Sequence, residues 1–177
     1  MIRDRIGRHP MGISPYVRAL RDKVGPSRLL LPSVAALIYD EDGRLLLVRQ
    51  RDGDVWSTPG GSIDPDETPA DAVVRETWEE TGLLVEPRRI AGVYGGPGFI
   101  VRYPGGDETQ YVATVFECAV VGGAPRPDGD ETLEVRYWRA DEADALPLAD
   151  WLRPMIGTFY ALQAETHFHP PTWRPGV

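Results

Sequence analysis

Residues 61–83 read GSIDPDETPADAVVRETWEETGL, a glycine-led loop running into one strongly punctuated helix. Thr68 carries the side-chain oxygen an N-cap needs, Pro69 suits the first helical position, and Asp71 completes a capping-box-like Thr-x-x-Asp. Gly82 stands where a left-handed residue would end the helix. Each helical residue turns about 100° from the last, so Glu76, Glu79 and Glu80 fall within an arc of about 100°. Beside them, Ala70, Val73, Val74 and Thr77 follow the i, i+3, i+4, i+7 spacing of a core-facing stripe. One stripe can bury while its neighbour offers carboxylates to a hard, oxygen-seeking cation, for which Mg2+ is the default. Upstream, Pro59-Gly60-Gly61 lacks side-chain bulk, so its backbone can approach a ligand or metal closely.

An acidic run on a helix is commonly no more than a solvated face, because exposed like charges at i, i+4 cost only a few tenths of a kcal/mol. Register decides against that reading here. The stretch resembles the Nudix box, the signature of the Nudix hydrolases. That pattern runs Gly, five residues, Glu, seven residues, Arg-Glu, an aliphatic, any residue, Glu-Glu, any residue, Gly, an aliphatic. Gly61, Glu67, Arg75, Glu76, Glu79, Glu80, Gly82 and Leu83 fill it in register. Thr77 departs from it, standing where the family usually has an aliphatic. On the core stripe its hydroxyl can bond back to the carbonyl of Val73.

The resemblance implies a Nudix-like α/β/α sandwich with a mixed β-sheet and a catalytic helix after the glycine loop. It implies a diphosphohydrolase using Mg2+ or Mn2+, acting on a nucleoside diphosphate linked to another group. Glu76, Glu79 and Glu80 would then supply metal ligands, joined by the backbone carbonyl of Gly60. Arg75 would orient a glutamate by salt bridge, and Glu67 would steady the loop or a water-bridged metal. The general base is either a box glutamate, Glu76, or an acid on a later loop. DGDETLEVRYW at Asp128–Trp138 offers Glu131 and Glu134, with Glu131 preferred because it lies in the loop itself. A nucleotide sugar, ADP-ribose or a nucleoside triphosphate is the expected substrate class, and a dinucleoside polyphosphate the alternative. A non-catalytic Nudix-fold sensor would be expected to lose Glu79 or Glu80, and both are present.

The rest of the chain bounds this reading. Its 177 residues and 19.6 kDa suit one domain with a sizeable core. A net charge of −8 gives no electrostatic case for duplex nucleic acid or an anionic membrane. The single cysteine, Cys118, excludes an internal disulfide and reads as a small core residue. MIRDRIGRHP shows no apolar signal region, and no stretch is long enough to span a bilayer, so a cytoplasmic protein is expected.

Residues 1–30 read as an N-terminal helical extension, opened by Ser14-Pro15, closed by Gly25-Pro26, with Val17, Leu20 and Val24 as its apolar line. Residues 31–165 form the main domain, and 166–177 a Pro-rich tail expected to be extended and exposed. Val34–Tyr39 and Arg44–Val48 suggest a hairpin, as do Phe99–Tyr103 and Gln110–Val121. Leu83–Val85, Ile90–Tyr94 and Val135–Trp138 read as strands, and Trp151–Ala164 as a closing helix. Strands around one well-capped helix point to an α+β or mixed α/β fold. Arg49 and Arg51 end a strand and could reach phosphate oxygens, while Trp56 could stack on a base or fill the core. Tyr94, Phe99, Tyr103 and Tyr111 could form an aromatic platform, although core packing suits most of them. His167 and His169 have a spacing found in metal sites but lack nearby partners. The two terminal helices are compatible with a homodimer.

Overall fold

Apolar residues run almost unbroken along β1 (Leu29–Ile38), which is buried on both faces from Ser33 onward, as a central strand in a layered fold should be. The computed structural model describes residues 14–103, 105–161 and 165–168. β1 lies parallel to β7 (Glu108–Gly123) and antiparallel to the short β4 (Gly60–Ser62). The other edge of β7 takes β5 (Leu83–Tyr94) and β6 (Ile100–Arg102), both antiparallel. β9 (His167–Phe168) lies parallel on β5 and completes a mixed sheet. A second, antiparallel sheet sets β2 (Leu45–Gln50) between β3 (Trp56–Ser57) and β8 (Thr132–Trp138).

Alternation along the strands separates two cores. Val34, Ala36 and Ile38 of β1 face α2 (Pro69–Thr81), meeting Ala72 and Val73 together with Leu46 and Phe116. Ala35 and Leu37 face the opposite way, against Trp56, Leu148, Leu152 and Phe159. That second layer contains α3 (Ala140–Ala143) and α4 (Ile156–Tyr160). The expected α/β/α sandwich with a mixed sheet is therefore the observed fold. Cys118 sits in the first core, and burial pushes its thiol up to about 12, so it is inert as a nucleophile near neutrality.

The short N-terminal helix α1 (Pro15–Val24) forms where expected, with Ser14 Oγ accepting from Val17 N–H at 3.3 Å. None of its residues is buried, so the apolar line does little of the anchoring. Arg21 ties α1 down instead, donating to the Glu108 carbonyl at 2.6 Å and to Thr109 Oγ1 at 2.8 Å.

Four expectations are corrected. β1 and β2 do not form a hairpin, because they diverge into different sheets after one bridge, Tyr39↔Leu45. Leu45 to Val48 are all fully buried and feed both cores, which a two-stranded ribbon could not satisfy. The closing helix shrinks to α4, since residues 151–155 form turns around Pro154, which has no N–H to donate. The helix expected to reach Ala164 passes at its end outside the described residues, as does His169. The beginning of the tail is not free: His167 joins the sheet and stacks on Tyr94 with ring centroids 5.2 Å apart. Finally, the buried stripe of α2 is turned from the expected one. Ala70 is exposed and Val74 half-buried, whereas Ala72, Val73, Thr77, Glu80 and Thr81 are buried.

Candidate active site

The rotation of α2 brings the acids inward. Its ends hold as the sequence requires: Thr68 Oγ1 accepts from Asp71 N–H at 3.2 Å, and Gly82 takes a left-handed φ of 68° while its N–H caps the Trp78 carbonyl. The helix packs against β4 and β1. A Cβ on Gly60 would drive into the Val34 carbonyl of β1. A Cβ on Gly61 would stand 2.5–2.7 Å from the Glu76 carboxyl group. The two glycines thus let bare backbone lie between β1 and the helix, with the Glu76 carboxylate tucked against it. One turn on, Glu80 Oε2 accepts from Gly60 N–H at 2.9 Å.

Arg75 organises the other side. It grips Glu67 bidentately, Nε to Oε1 at 2.7 Å and Nη2 to Oε2 at 2.8 Å, and also donates to the Ser62 carbonyl at 3.1 Å. Its Nη1 reaches Glu76 Oε1 at 2.8 Å and Glu79 Oε2 at 3.2 Å. Glu67 Oε2 also accepts from Asp64 N–H at 3.1 Å, so one carboxylate ties loop to helix. Burial pushes Glu67 upward, but the Arg75 hydrogen bonds outweigh it and hold its carboxyl below the ordinary range. Hydrogen bonding to Glu67 first, and the charge of Glu76 after the opposing effect of burial, keep Arg75 firmly protonated.

Glu76 and Glu80 behave differently. Burial lifts Glu76 to about 7 despite the Arg75 charge, with Glu79 and Glu131 adding to the rise. Glu80 is raised well above the carboxylate range by burial and then by Glu76, the Gly60 N–H only partly opposing. Each carboxylate keeps one oxygen that accepts no hydrogen bond from the described residues. Once ionised these oxygens are acceptors only, so a divalent cation that displaces the protons meets both their chemistry and their mutual repulsion. Glu79 adds a more exposed carboxylate on the same side. Among the described residues no three such side chains already converge on one point, so Glu76 and Glu80 are the best-formed pair of donors.

Thr77 is fully buried and its hydroxyl has no partner; the expected bond to the Val73 carbonyl does not form. Thr81 makes that kind of bond instead, to the Thr77 carbonyl.

Other candidates separate. Glu131 comes within electrostatic reach of both Glu76 and Glu80. Glu134 lies on β8 opposite Arg49, whose guanidinium is shared between it at 3.6 Å and Asp54 at 3.3 Å. Arg51 spends two nitrogens on the carbonyls of Gly129 and Asp130. Trp56 is buried edge-to-face against Trp138, centroids 5.1 Å apart, and fills the core. Tyr94 and Phe99 are buried together at 6.1 Å, while Tyr103 and Tyr111 pair through their hydroxyls at 2.8 Å. Sequence reasoning missed Asp128, whose Oδ1 accepts from the N–H groups of Asp130, Glu131 and Thr132. Its Asp-Gly-Asp context was the available signal for such a side-chain-closed turn.

A mixed sheet between helices, with an acid-bearing helix locked beneath a glycine strand, defines an α/β/α sandwich protein with a carboxylate site on one helix. The chain belongs to the NUDIX family, whose domain model matches residues 29–159. It is 41% identical over 110 residues to a MutT-like protein of Streptomyces ambofaciens, covering 62% of this chain and 64% of that one. It is 34% identical over 113 residues to an ADP-ribose pyrophosphatase of Methanocaldococcus jannaschii, covering 62% and 63%. The matches span less than two thirds of either curated relative's length. The crystal structure of an ADP-ribose pyrophosphatase from Streptococcus suis superposes with a TM-score of 0.61 at 27% identity, over 77% of this chain and 96% of that one.

Proposed function

We propose that this chain is a divalent-metal-dependent diphosphohydrolase cleaving the phosphoanhydride of a nucleoside diphosphate linked to another group. The observation that carries the reading is the Glu76–Glu80 pair, Glu80 buried and Glu76 partly so, mutually repelling and packed beneath glycine backbone. Glu76, Glu80 and Glu79, with the Gly60 carbonyl, would hold Mg2+ or Mn2+. When bound, the ion supplies positive charge to phosphate oxygens and to an attacking water. Water adds to phosphorus as the bridging P–O bond breaks, and two phosphate-ended products leave. The water's proton passes to a carboxylate. Glu131 is our assignment, because it lies on the loop within electrostatic reach of both Glu76 and Glu80; Glu76, lifted to about 7, is the competing base. Arg75 and Glu67 keep the carboxylates and the glycine loop in place.

Two of the similar proteins bear the name ADP-ribose pyrophosphatase, which puts ADP-ribose first among substrates to test, ahead of nucleotide sugars and nucleoside triphosphates. Incubation with Mg2+ and a panel of these compounds, read by phosphate release with and without alkaline phosphatase, tests the reading. At least one member should be hydrolysed in the presence of Mg2+ and none in EDTA. Glu80→Gln separates charge from shape, since the amide oxygen can still accept from Gly60 N–H. We expect turnover to fall at least about 10²-fold while the metal-free protein becomes more stable near pH 8, because the cost of burying an ionisable carboxyl is gone. Unimpaired turnover in this variant would remove Glu80 from the metal site.

A further inference from the structure

We infer that Arg51 is a positioning residue: its backbone and guanidinium fix the loop that carries Glu131, so that this carboxylate stands opposite those of α2. The inference rests on the assignment of Glu131 to the proposed reaction. The β2–β8 ladder shifts register between Arg49 and Gln50 and ends at the pair Gln50↔Thr132. Arg51 therefore leaves the ladder beside residues 129–131. Its N–H donates to the Glu131 carbonyl at 2.8 Å, Nε to the Asp130 carbonyl at 2.5 Å, and Nη2 to the Gly129 carbonyl at 3.0 Å.

From inside the turn, Asp128 Oδ1 accepts from the N–H groups of Asp130, Glu131 and Thr132 at 2.8, 3.0 and 2.9 Å. Gly129 N–H closes onto the Thr132 carbonyl at 3.1 Å. Every backbone donor and acceptor from Gly129 to Thr132 thus has a partner within the protein, although the turn is exposed at residues 129–131. Surface loops ordinarily leave many such groups to water. A fork of donors on successive carbonyls also suits arginine alone, since the compact lysine ammonium cannot reproduce its planar geometry. Two of the three guanidinium nitrogens are occupied in this way, which argues against a bidentate grip on phosphate. The following strand, β8, packs through Val135 and Tyr137 on the core beneath α2, so the clamped turn is referenced to the same helix as the acids. An error of about 1 Å in the placement of a reacting group can cost about 10²-fold in rate.

The test compares Arg51→Ala, Arg51→Lys and Glu131→Gln. In metal-free protein, Arg51→Ala should speed hydrogen exchange at the amides of residues 130–132 by at least about tenfold, with amides of α2 unchanged. With Mg2+ and ADP-ribose, or the panel member that is cleaved, its kcat should fall about 10- to 100-fold with KM within about twofold of wild type. Arg51→Lys should not restore kcat. A raised KM with unchanged kcat and exchange would mean that Arg51 touches substrate, and would overturn the inference. Full rescue by lysine would also overturn it, as would full turnover by Glu131→Gln. If wild type cleaves nothing in the panel, the hydrolase reading fails separately, and unaltered exchange in Arg51→Ala still refutes the clamp.

Discussion

Thr77 shows how much one atom matters in this site. Its side chain is fully buried on the face of α2 that meets the core, and its hydroxyl finds neither a donor nor an acceptor. A buried hydroxyl without a partner costs about 1–3 kcal/mol in desolvation, whereas a methyl of similar size does not. Thr77→Val should therefore raise unfolding free energy by about 1 kcal/mol. Urea denaturation should show a higher midpoint with an unchanged slope. A lower midpoint would mean that the hydroxyl has a partner in solution, such as an ordered water. Because the hydroxyl makes no hydrogen bond to the site carboxylates or to the groups that hold them, hydrolysis should remain near wild type.

At the scale of the element, α2 was almost wholly legible and the strands before it were not. Its start, stop and acid positions were encoded locally, in Thr68, Pro69, Asp71 and Gly82, each acting through its own backbone geometry. Which residues of α2 are buried was less legible, because Gly61 leaves the space into which the Glu76 carboxylate turns, while Gly60 lies bare against β1 and gives its N–H to Glu80. That space depends on β1, residues distant in sequence, and periodicity carries no record of it. The β1–β2 expectation failed for a related reason: a turn signal says that the chain reverses, not that the two arms pair. The site residues divided similarly, with the box acids readable from register and the engagement of Arg51 by a distant loop not readable at all. The helix end gives the prediction of this scale. Gly82 holds φ at 68°, and a Cβ there would stand 2.9 Å from the Ala124 carbonyl. Gly82→Ala combines left-handed strain of about 1 kcal/mol with that clash, so we expect a loss of at least about 1–2 kcal/mol by thermal or chemical denaturation. A loss no greater than a few tenths would show that the cap relaxes freely.

For the whole molecule, the acids divide into groups with opposite demands on pH. Glu67 is held below the ordinary carboxylate range by its hydrogen bonds with Arg75 once the cost of its burial is offset, so its contribution is present above the unfolded pKa and is lost as pH falls through the folded one. Glu76 is the reverse case. Its carboxyl is lifted to about 7 by burial from the 4.5 of an unfolded chain, so the folded protein binds that proton more tightly. The contribution is complete below about 4.5 and disappears as pH rises through about 7, a term on the order of 3 kcal/mol. Glu80 shifts in the same direction and adds to the trend. Metal-free protein should therefore melt at a higher temperature near pH 5 than near pH 8, against the usual expectation for a protein whose carboxylates are mostly paired. Saturating Mg2+ should raise the melting temperature far more at pH 8 than at pH 5, because cation and proton compete for the same oxygens. Glu76→Gln should flatten the metal-free profile between pH 5 and 8 and reduce the Mg2+ response. Melting in EDTA at pH 5, 6.5 and 8, repeated with Mg2+, measures both slopes. A metal-free profile that climbs steadily to pH 8 would show that these two carboxylates are ionised at little cost, and the case for a cation drawn to them by burial would fall.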